Sequence, residues 1–223
     1  MVTKSIVFLA NSFRPGGSCV AGIEVSNGGF GPWIRPISHR PDQAISDDEK
    51  TYADGTRLSM LDIVEIDFDA HQPEHHQTEN WLITNNVRWR KVGEALPHQL
   101  GGALLPPNRP LWRPAQSTYT GRNDQVTGQV AHASNWSLAL INPATCVVDV
   151  SFNPFSDNNE VWVSFAWTGT PHKIKLTDPV QFARYNTGVG QSHALENALL
   201  CISLAHVWAQ RNTASKLVAG LIV

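Results

Sequence analysis

Short apolar segments rich in Val, Ile, Phe and Trp recur along the chain, and they restrict the fold classes open to it. Turn residues separate these segments, for example at Pro15–Gly17, Asn27–Gly29 and Asn153–Pro154. Long helical patterns do not alternate with them, as they would in a parallel sheet. The sequence therefore predicts an all-β, mostly antiparallel fold, either a barrel or a sandwich. The predicted strands are Ser5–Ala10, Val20–Val25, Trp33–Ile37, Leu61–Phe68, Ser137–Ile141, Cys146–Phe152 and Val161–Trp167.

The composition is that of a globular protein of modest charge. The 223 residues are 42% hydrophobic and only 16% charged, so one or two domains with a sizeable core can form. The 17 Lys and Arg residues against 19 Asp and Glu residues give a net charge of −2. That balance excludes a surface that binds duplex DNA by bulk positive charge. Any contact with nucleic acid must therefore be local.

The three cysteines, Cys19, Cys146 and Cys201, are far apart and form no Cys-x-x-Cys pair. They supply neither a zinc ribbon nor an even disulfide framework, and Cys19 is interpreted as a small buried apolar residue. No apolar stretch reaches the roughly 18 residues of a membrane span, and Ile6–Ala10 is too short for a secretory signal. We expect a cytoplasmic protein that needs no metal or cofactor and does not contact a membrane.

Prolines concentrate between Leu96 and Gln125, where the composition departs from that of the strand-rich flanks. Proline lacks the amide hydrogen that a sheet requires, so this stretch marks a domain boundary. It also contains Leu111 and Trp112, which are costly to leave in water, so we expect it to pack on one of the lobes. The sequence predicts a first domain over residues 1–100, a connection over 101–125 and a second domain over 126–223.

Helical signals are few. Asp178 followed by Pro179 is typical of a helix start, because Asp caps the first turn and Pro needs no amide partner there. The pattern predicts a short helix that ends at Tyr185. The segment 194–210 suits either a helix or a buried strand, and its residues alone leave both open.

A histidine-containing loop is predicted after the fourth strand. His71 and His75 have the i, i+4 spacing of a metal-binding helix, but Pro73 lies between them. The geometry that gives this spacing its meaning is therefore absent, and we expect two exposed histidines without a metal.

The same loop continues with Gln77, Glu79 and Asn80 beside Trp81. Amide and carboxylate groups next to an indole suit contact with the edge of a nucleobase or with a turn of backbone. We predict that these four residues contact a ligand, and a solvated loop is the alternative.

The turn after the first strand combines Arg14 with the adjacent Gly16 and Gly17. Glycines let main-chain amides approach a ligand, and a guanidinium group is a forked donor to phosphate or carboxylate. The functional interpretation is an anion-binding turn. The structural interpretation is a tight hairpin, because the spacing is not that of a nucleotide-binding P-loop.

Trp33 and Arg35 alternate along one strand and therefore lie on the same face. An indole beside a guanidinium can stack a base while the cation contacts its phosphate. Alternatively, Arg35 forms an ion pair with an acidic residue such as Asp62, Glu65 or Glu79.

Signatures of known catalytic sites are missing from the sequence: it has no Gly-x-Ser-x-Gly elbow, no His-Glu-x-x-His and no cysteine in a recognisable catalytic context. An enzyme is conceivable only through a site assembled from scattered residues, such as Ser12, His76, Glu79 and Arg35.

Several separated stretches together resemble the dual OB-containing domain family. They are IVFLANSFRPGGSCVAGIEV, GPWIRPIS, LDIVEID, HQTENWLI, KLTDP, LLCISL and KLVAGLIV, and they occur in the family's order. The resemblance implies two OB-like small β-barrels with few short helices, and it implies strands at Leu199–Leu204 and Lys216–Val223. It also implies a nucleic-acid sensing or binding module associated with prokaryotic conflict and antiviral defence systems.

The expected function is non-enzymatic binding of single-stranded or modified nucleic acid, or of a nucleotide, with an effector protein as a further partner. An enzyme acting on nucleic acid or nucleotides and a protein-interaction scaffold are the alternatives. The residues expected to contact the ligand are Arg14, Gly16, Gly17, Trp33, Arg35, Gln77, Glu79, Asn80 and Trp81. If Arg14 and Arg35 face the ligand, replacing either with alanine should weaken binding and leave the melting temperature nearly unchanged.

Overall fold

A computed structural model describes residues 1–26 and 28–223 and divides the chain into two units, Met1–Ala103 and Leu104–Val223. Asn27, in one of the predicted turns, lies outside the described residues. The division falls after Ala103, and residues 104–125, which the sequence assigned mainly to a connection, belong to the second unit. Leu111 and Trp112 are buried there, in the core of that unit.

The strands of the first unit form one sheet whose hydrogen-bonded order is β1-β2-β3-β5-β4-β6. Because β4 also pairs with β1, the order returns to the first strand and five strands close into a ring. The pairings are antiparallel except for that of β3 with β5, which is parallel. A 3-10 helix, Pro97–Ala103, follows the sheet. The strands are β1 (Val2–Arg14), β2 (Gly17–Ser26), β3 (Gly29–Ile37), β4 (Asp62–His71), β5 (Asn80–Ile83) and β6 (Arg90–Glu94).

Alternation along the strands builds the core of the first unit. Successive side chains of a strand point to opposite faces, so every second residue can enter the ring. On β1 the core residues are Ile6 and Phe8, and on β4 they are Val64, Ile66 and Phe68. The polar residues considered below occupy other positions on these strands and in the loops.

The second unit has a sheet of order β12-β9-β10-β11-β14-β13-β8, and β7 pairs with β14 outside that path. Within the described residues this sheet does not return to its first strand, so it stays open. The strands are β7 (Gln125–Thr127), β8 (Leu138–Ile141), β9 (Thr145–Asn153), β10 (Asn158–Trp167), β11 (Thr170–Leu176), β12 (Ser192–Glu196), β13 (Leu199–Leu204) and β14 (Thr213–Ile222).

The two units share one strand order. In the first unit, β1, β2, β3, β5 and β4 are neighbours in that sequence, and in the second unit β9, β10, β11, β14 and β13 are. In each unit a parallel pairing joins the third and fifth of these strands in chain order: β3 with β5, and β11 with β14. Strands make up about 51% of the structure and helices about 9%, which confirms the predicted all-β class with OB-like barrels, although only the first sheet closes.

Two short helices lie in the second unit: α1 (Gly128–Ala133) and α2 (Pro179–Tyr185). The second was predicted, whereas α1 and the 3-10 helix of the first unit were not. The segment that the sequence left open between helix and strand contains β13, as the family resemblance implied. Among the described residues, no helix is long and apolar enough to cross a membrane.

Asp178 caps α2 as expected, because its Oδ1 accepts hydrogen bonds from the amides of Val180 and Gln181 at 3.0 and 3.2 Å. Its Oδ2 accepts a third from the amide of Leu221 on β14, at 3.3 Å, and burial raises the pKa of the carboxyl. Replacing Asp178 with alanine should therefore lower the free energy of unfolding by about 1–2 kcal/mol, measured by urea denaturation. Asp178→Asn, which keeps an acceptor, should lose less; equal losses would contradict the capping role.

Candidate ligand-binding surface of the first unit

Two loops and two strands carry the residues that the sequence singled out. One loop is the turn between β1 and β2, and the other is the segment 72–79 between β4 and β5. The parallel pairing of β3 with β5 places Arg35 opposite Asn80, so their side chains lie on one face of the sheet. Ile34 and Ile83 on the same strands point into the core. The face that carries Arg35 and Asn80 is therefore the one outside the ring.

Arg35 lies at the centre of this arrangement and is only 2% exposed. Its Nη2 donates to Glu79 Oε1 at 3.2 Å, and its backbone amide donates to the carbonyl of Glu79 at 2.8 Å. Burial by itself lowers the pKa of Arg35, but the interactions with Cys19 and with the carboxylate of Glu79 outweigh it and leave the pKa above its ordinary value. The ion pair weighed as the alternative to a ligand contact is therefore present, and a role in binding stays a prediction.

Cys19 is a polar partner of this network. Its Sγ lies 2.8 Å from Arg35 Nη1, and the residue is half-buried rather than enclosed by apolar groups. The interpretation of Cys19 as a small apolar core residue is therefore wrong. Val20, the next residue, is the one that enters the core, and this alternation on β2 was the available signal.

Gln77, Glu79 and Asn80 are buried as well, with exposures of 3%, 7% and 0%. The amide group of Asn80 has no hydrogen-bond partner among the described residues, for either its nitrogen or its oxygen. A buried amide without partners is uncommon in proteins. The predicted contact of these residues with a ligand is not tested by the structure, but it would require a ligand that reaches enclosed groups.

Trp81 has several neighbours in the first unit. The Nζ of Lys4 lies 4.5 Å from its ring centroid, and the His71 ring lies 4.8 Å away. Phe68 meets it edge to face at 5.8 Å, on the core side. Trp33 on β3 is half-buried and lies on the same face as Arg35. Of the two indoles, Trp33 is therefore the better placed for stacking.

The glycine turn is packed closely against a later segment. Gly16 has a positive φ of 82°, and a Cβ atom there would lie 1.8 Å from Asp42 Oδ2. A Cβ on Gly17 would lie 2.4 Å from the carbonyl oxygen of Ile45. The close approach of Asp42 and Ile45 leaves no room for a side chain at either glycine, in agreement with the tight-hairpin interpretation. Contact of these glycines with an anion stays a prediction, and the nearby carboxylate of Asp42 disfavours it.

Arg14 ends β1 beside this turn and is half-buried. Among the described residues, its guanidinium has no hydrogen-bond or ion-pair partner. Phe13, which the sequence analysis did not single out, is 58% exposed next to it. A cation and an aromatic ring at an exposed strand end are groups that nucleic acids bind.

His71 and His75 are exposed, as expected, and His71 Nε2 lies 2.6 Å from the carbonyl oxygen of Thr78. Within the part of the chain that the structure describes, no group of three or more His, Cys, Asp or Glu residues is arranged to hold a metal ion. An aromatic cleft in the second unit was not predicted from the sequence. Its clearest sequence signal is Phe155, an apolar residue inside a polar turn.

Comparison with known proteins agrees with this architecture. The model of the family described as the dual OB-containing domain matches residues 4–221. A neuronal acetylcholine receptor subunit non-alpha-3 from Carassius auratus is 25% identical over an alignment 164 residues long, which covers 67% of this chain. The match spans 31% of that subunit, so the chain covers less than a third of it. Because the family model covers nearly the whole length, the chain belongs to the dual OB-containing domain family.

Proposed function

We propose that this protein binds single-stranded nucleic acid, or a nucleotide from it, without cleaving it. The observation that carries the proposal is the position of the candidate residues. OB folds bind through the face of their second and third strands and through the loops that follow the first and fourth strands. In the first unit the second and third strands hold Cys19, Trp33 and Arg35, and Arg14 ends the first strand beside the loop that follows it.

The chemistry of the exposed groups supports the same ligand. The guanidinium of Arg14, which has no partner within residues 1–26 and 28–223, is a donor for phosphate, and the half-buried indole of Trp33 is a platform for a base. The ion pair of Arg35 with Glu79 fixes the strand that carries Trp33. A net charge of −2 agrees with binding by a few local contacts.

A cytoplasmic location and an effector protein that responds to the bound nucleic acid complete the proposal. The location is inferred from the unpaired cysteines and from the lack of a signal-like or membrane-spanning apolar stretch, and the effector from the family resemblance, in which such modules are associated with defence systems.

Replacing Arg14 or Trp33 with alanine should weaken binding of a labelled single-stranded oligonucleotide by about 1–3 kcal/mol, because each change removes one phosphate or base contact. Arg14→Ala should also make the salt slope of the logarithm of affinity shallower by about 0.7. Fluorescence anisotropy across a salt series measures both quantities. Arg57, which is exposed and remote from these loops in sequence, supplies the matched control Arg57→Ala, which should bind normally.

The proposal fails if the wild-type protein binds neither RNA nor DNA oligonucleotides. It also fails as a non-enzymatic function if electrophoresis shows shortened oligonucleotides after incubation with divalent metal. A thermal melt of each variant accompanies the titrations, because loss of binding by an unfolded variant would not count.

A further inference from the structure

The second unit contains an open cleft of about 510 Å³, and none of the ligand-contacting residues predicted from the sequence line it. Its walls come from the segment before β7, from the hairpin between β9 and β10, and from the loop between β13 and β14. In the strand order that the two units share, these last two connections follow the first and the fourth strand. The cleft therefore occupies the position at which OB folds bind ligands.

Three aromatic side chains at this cleft are exposed to water. Tyr119 is 95% exposed, Phe155 is 86% exposed and Phe152 is 49% exposed. Single exposed apolar residues are common, but a group of large rings around one concavity indicates a binding site. Trp162, which is 5% exposed, contributes a fourth ring to the lining.

Hydrogen bonds fix the backbone that presents these rings. Asn153 Oδ1 accepts from the amide of Phe155 at 2.9 Å, while Asn153 Nδ2 donates to Glu160 Oε1 at 2.9 Å. Thr118, next to Tyr119, donates to Asp124 through its amide and its hydroxyl, at 2.9 and 2.6 Å. Because these turns are already ordered, a ligand loses less free energy in ordering them.

One cation lies at the same cleft. The Arg211 guanidinium carbon is 4.8 Å from the centroid of the Trp208 ring, so the guanidinium is held over an aromatic face. Its N–H groups along the edge are the part that can contact a phosphate. The carboxylate of Glu160, also in the lining, is neutralised by Lys175 Nζ at 2.6 Å. An anionic ligand therefore meets a favourable charge.

We infer that this cleft is a second nucleic-acid site, in which bases of a single strand stack on Phe155, Tyr119 and Phe152 while Arg211 contacts the backbone phosphate. The identity of the ligand rests on the proposed function, whereas the site itself is independent of the first unit. Rings alone would also suit a sugar, but the cation beside them favours a phosphate-bearing ligand.

The test is fluorescence anisotropy of short labelled single-stranded oligonucleotides with the full chain. Phe155→Ala, Tyr119→Ala and Arg211→Ala should each weaken binding about 10-fold or more, because base stacking and phosphate contacts contribute on that scale. Phe155→Tyr keeps a ring and should bind like the wild type. Arg184 is exposed and lies over the Tyr185 ring at 5.4 Å, so Arg184→Ala is the matched control for Arg211→Ala and should bind normally.

Two further ligands sharpen the test. An oligonucleotide of the same length with abasic positions should bind weakly, because it lacks the rings that stack. An oligosaccharide, titrated by calorimetry, should not bind. If a sugar binds in a manner that depends on Phe155, and nucleic acid does not bind, then the inferred ligand is wrong.

Failure of this inference differs from failure of the proposed function. If the wild type binds oligonucleotides and all three cleft variants bind equally well, the cleft is not a nucleic-acid site, although the proposed function stands. If the wild type binds no oligonucleotide at all, both fall together.

Discussion

Replacing Glu79 with alanine should lower the free energy of unfolding by about 3–5 kcal/mol, because the change leaves the buried guanidinium of Arg35 without its carboxylate. Arg35 is 2% exposed, so water cannot take the place of the lost partner. Urea denaturation at neutral pH measures the effect. If Arg35 were instead a ligand contact at the surface, replacing it with alanine would leave the melting temperature nearly unchanged. A buried ion pair predicts a loss of stability when either partner is removed.

A double variant tests whether the loss of stability comes from an uncompensated buried charge. Arg35→Met with Glu79→Leu removes both charges and should recover much of the stability lost in Glu79→Ala, because no uncompensated charge remains buried. If Glu79→Ala unfolds at the same urea concentration as the wild type, the ion pair does not stabilise the first unit.

In the second unit, acidification should remove on the order of 3 kcal/mol of stability through His172. This side chain is 3% exposed, stacks on Phe165 at 5.3 Å and lies 3.3 Å from the carbonyl of Asn123 through Nδ1. Burial, and then the charges of Lys216 and Arg113, lower its pKa from 6.5 to about 4. Lys216, whose own pKa burial lowers to about 8, is charged throughout that range.

The direction of this change in stability with pH follows from proton binding. Between pH 6.5 and about 4 the unfolded chain holds a proton on His172 that the folded chain does not, so stability falls as the pH falls through this window. Unfolding free energies at about pH 7 and pH 4 for the wild type and His172→Gln measure the contribution, since the carboxylates titrate in both proteins. Equal losses in the two proteins would show that His172 is not responsible.

Local patterns predicted most of the strands because each has a clear alternation or a continuous apolar run between turn residues. The cap and proline of α2 placed that helix correctly as well. Local sequence patterns did not predict the structure where contacts with the rest of the fold determine it. α1 has the sequence Gly-Gln-Val-Ala-His-Ala, which carries little helical preference, and it starts from the side chain of Thr127, which accepts from the amide of Val130 at 3.3 Å.

The candidate residues illustrate a different limit. Trp33 and Arg35 could be placed on one face from their spacing, but the spacing does not say whether that face is open to solvent. Glu79 is 44 residues from Arg35 and becomes its partner only through the parallel pairing of β3 with β5. The cleft of the second unit was missed for a similar reason, because Tyr119, Phe155 and Arg211 are brought together only by the tertiary fold.

Each sheet draws its strands from one continuous stretch of chain, and this has a consequence for how the protein folds as it is made. The strands β1 to β6 all precede Leu104, so the first sheet can form once they have left the ribosome, before β7 is synthesised. Its ring closes late, however, because β1 pairs with β4 and Val2 lies opposite Phe68. Until β4 emerges, the edge of β1 is unpaired and exposed to other nascent chains. The interval between the synthesis of β1 and that of β4 is thus the period in which the edge of β1 is open to aggregation.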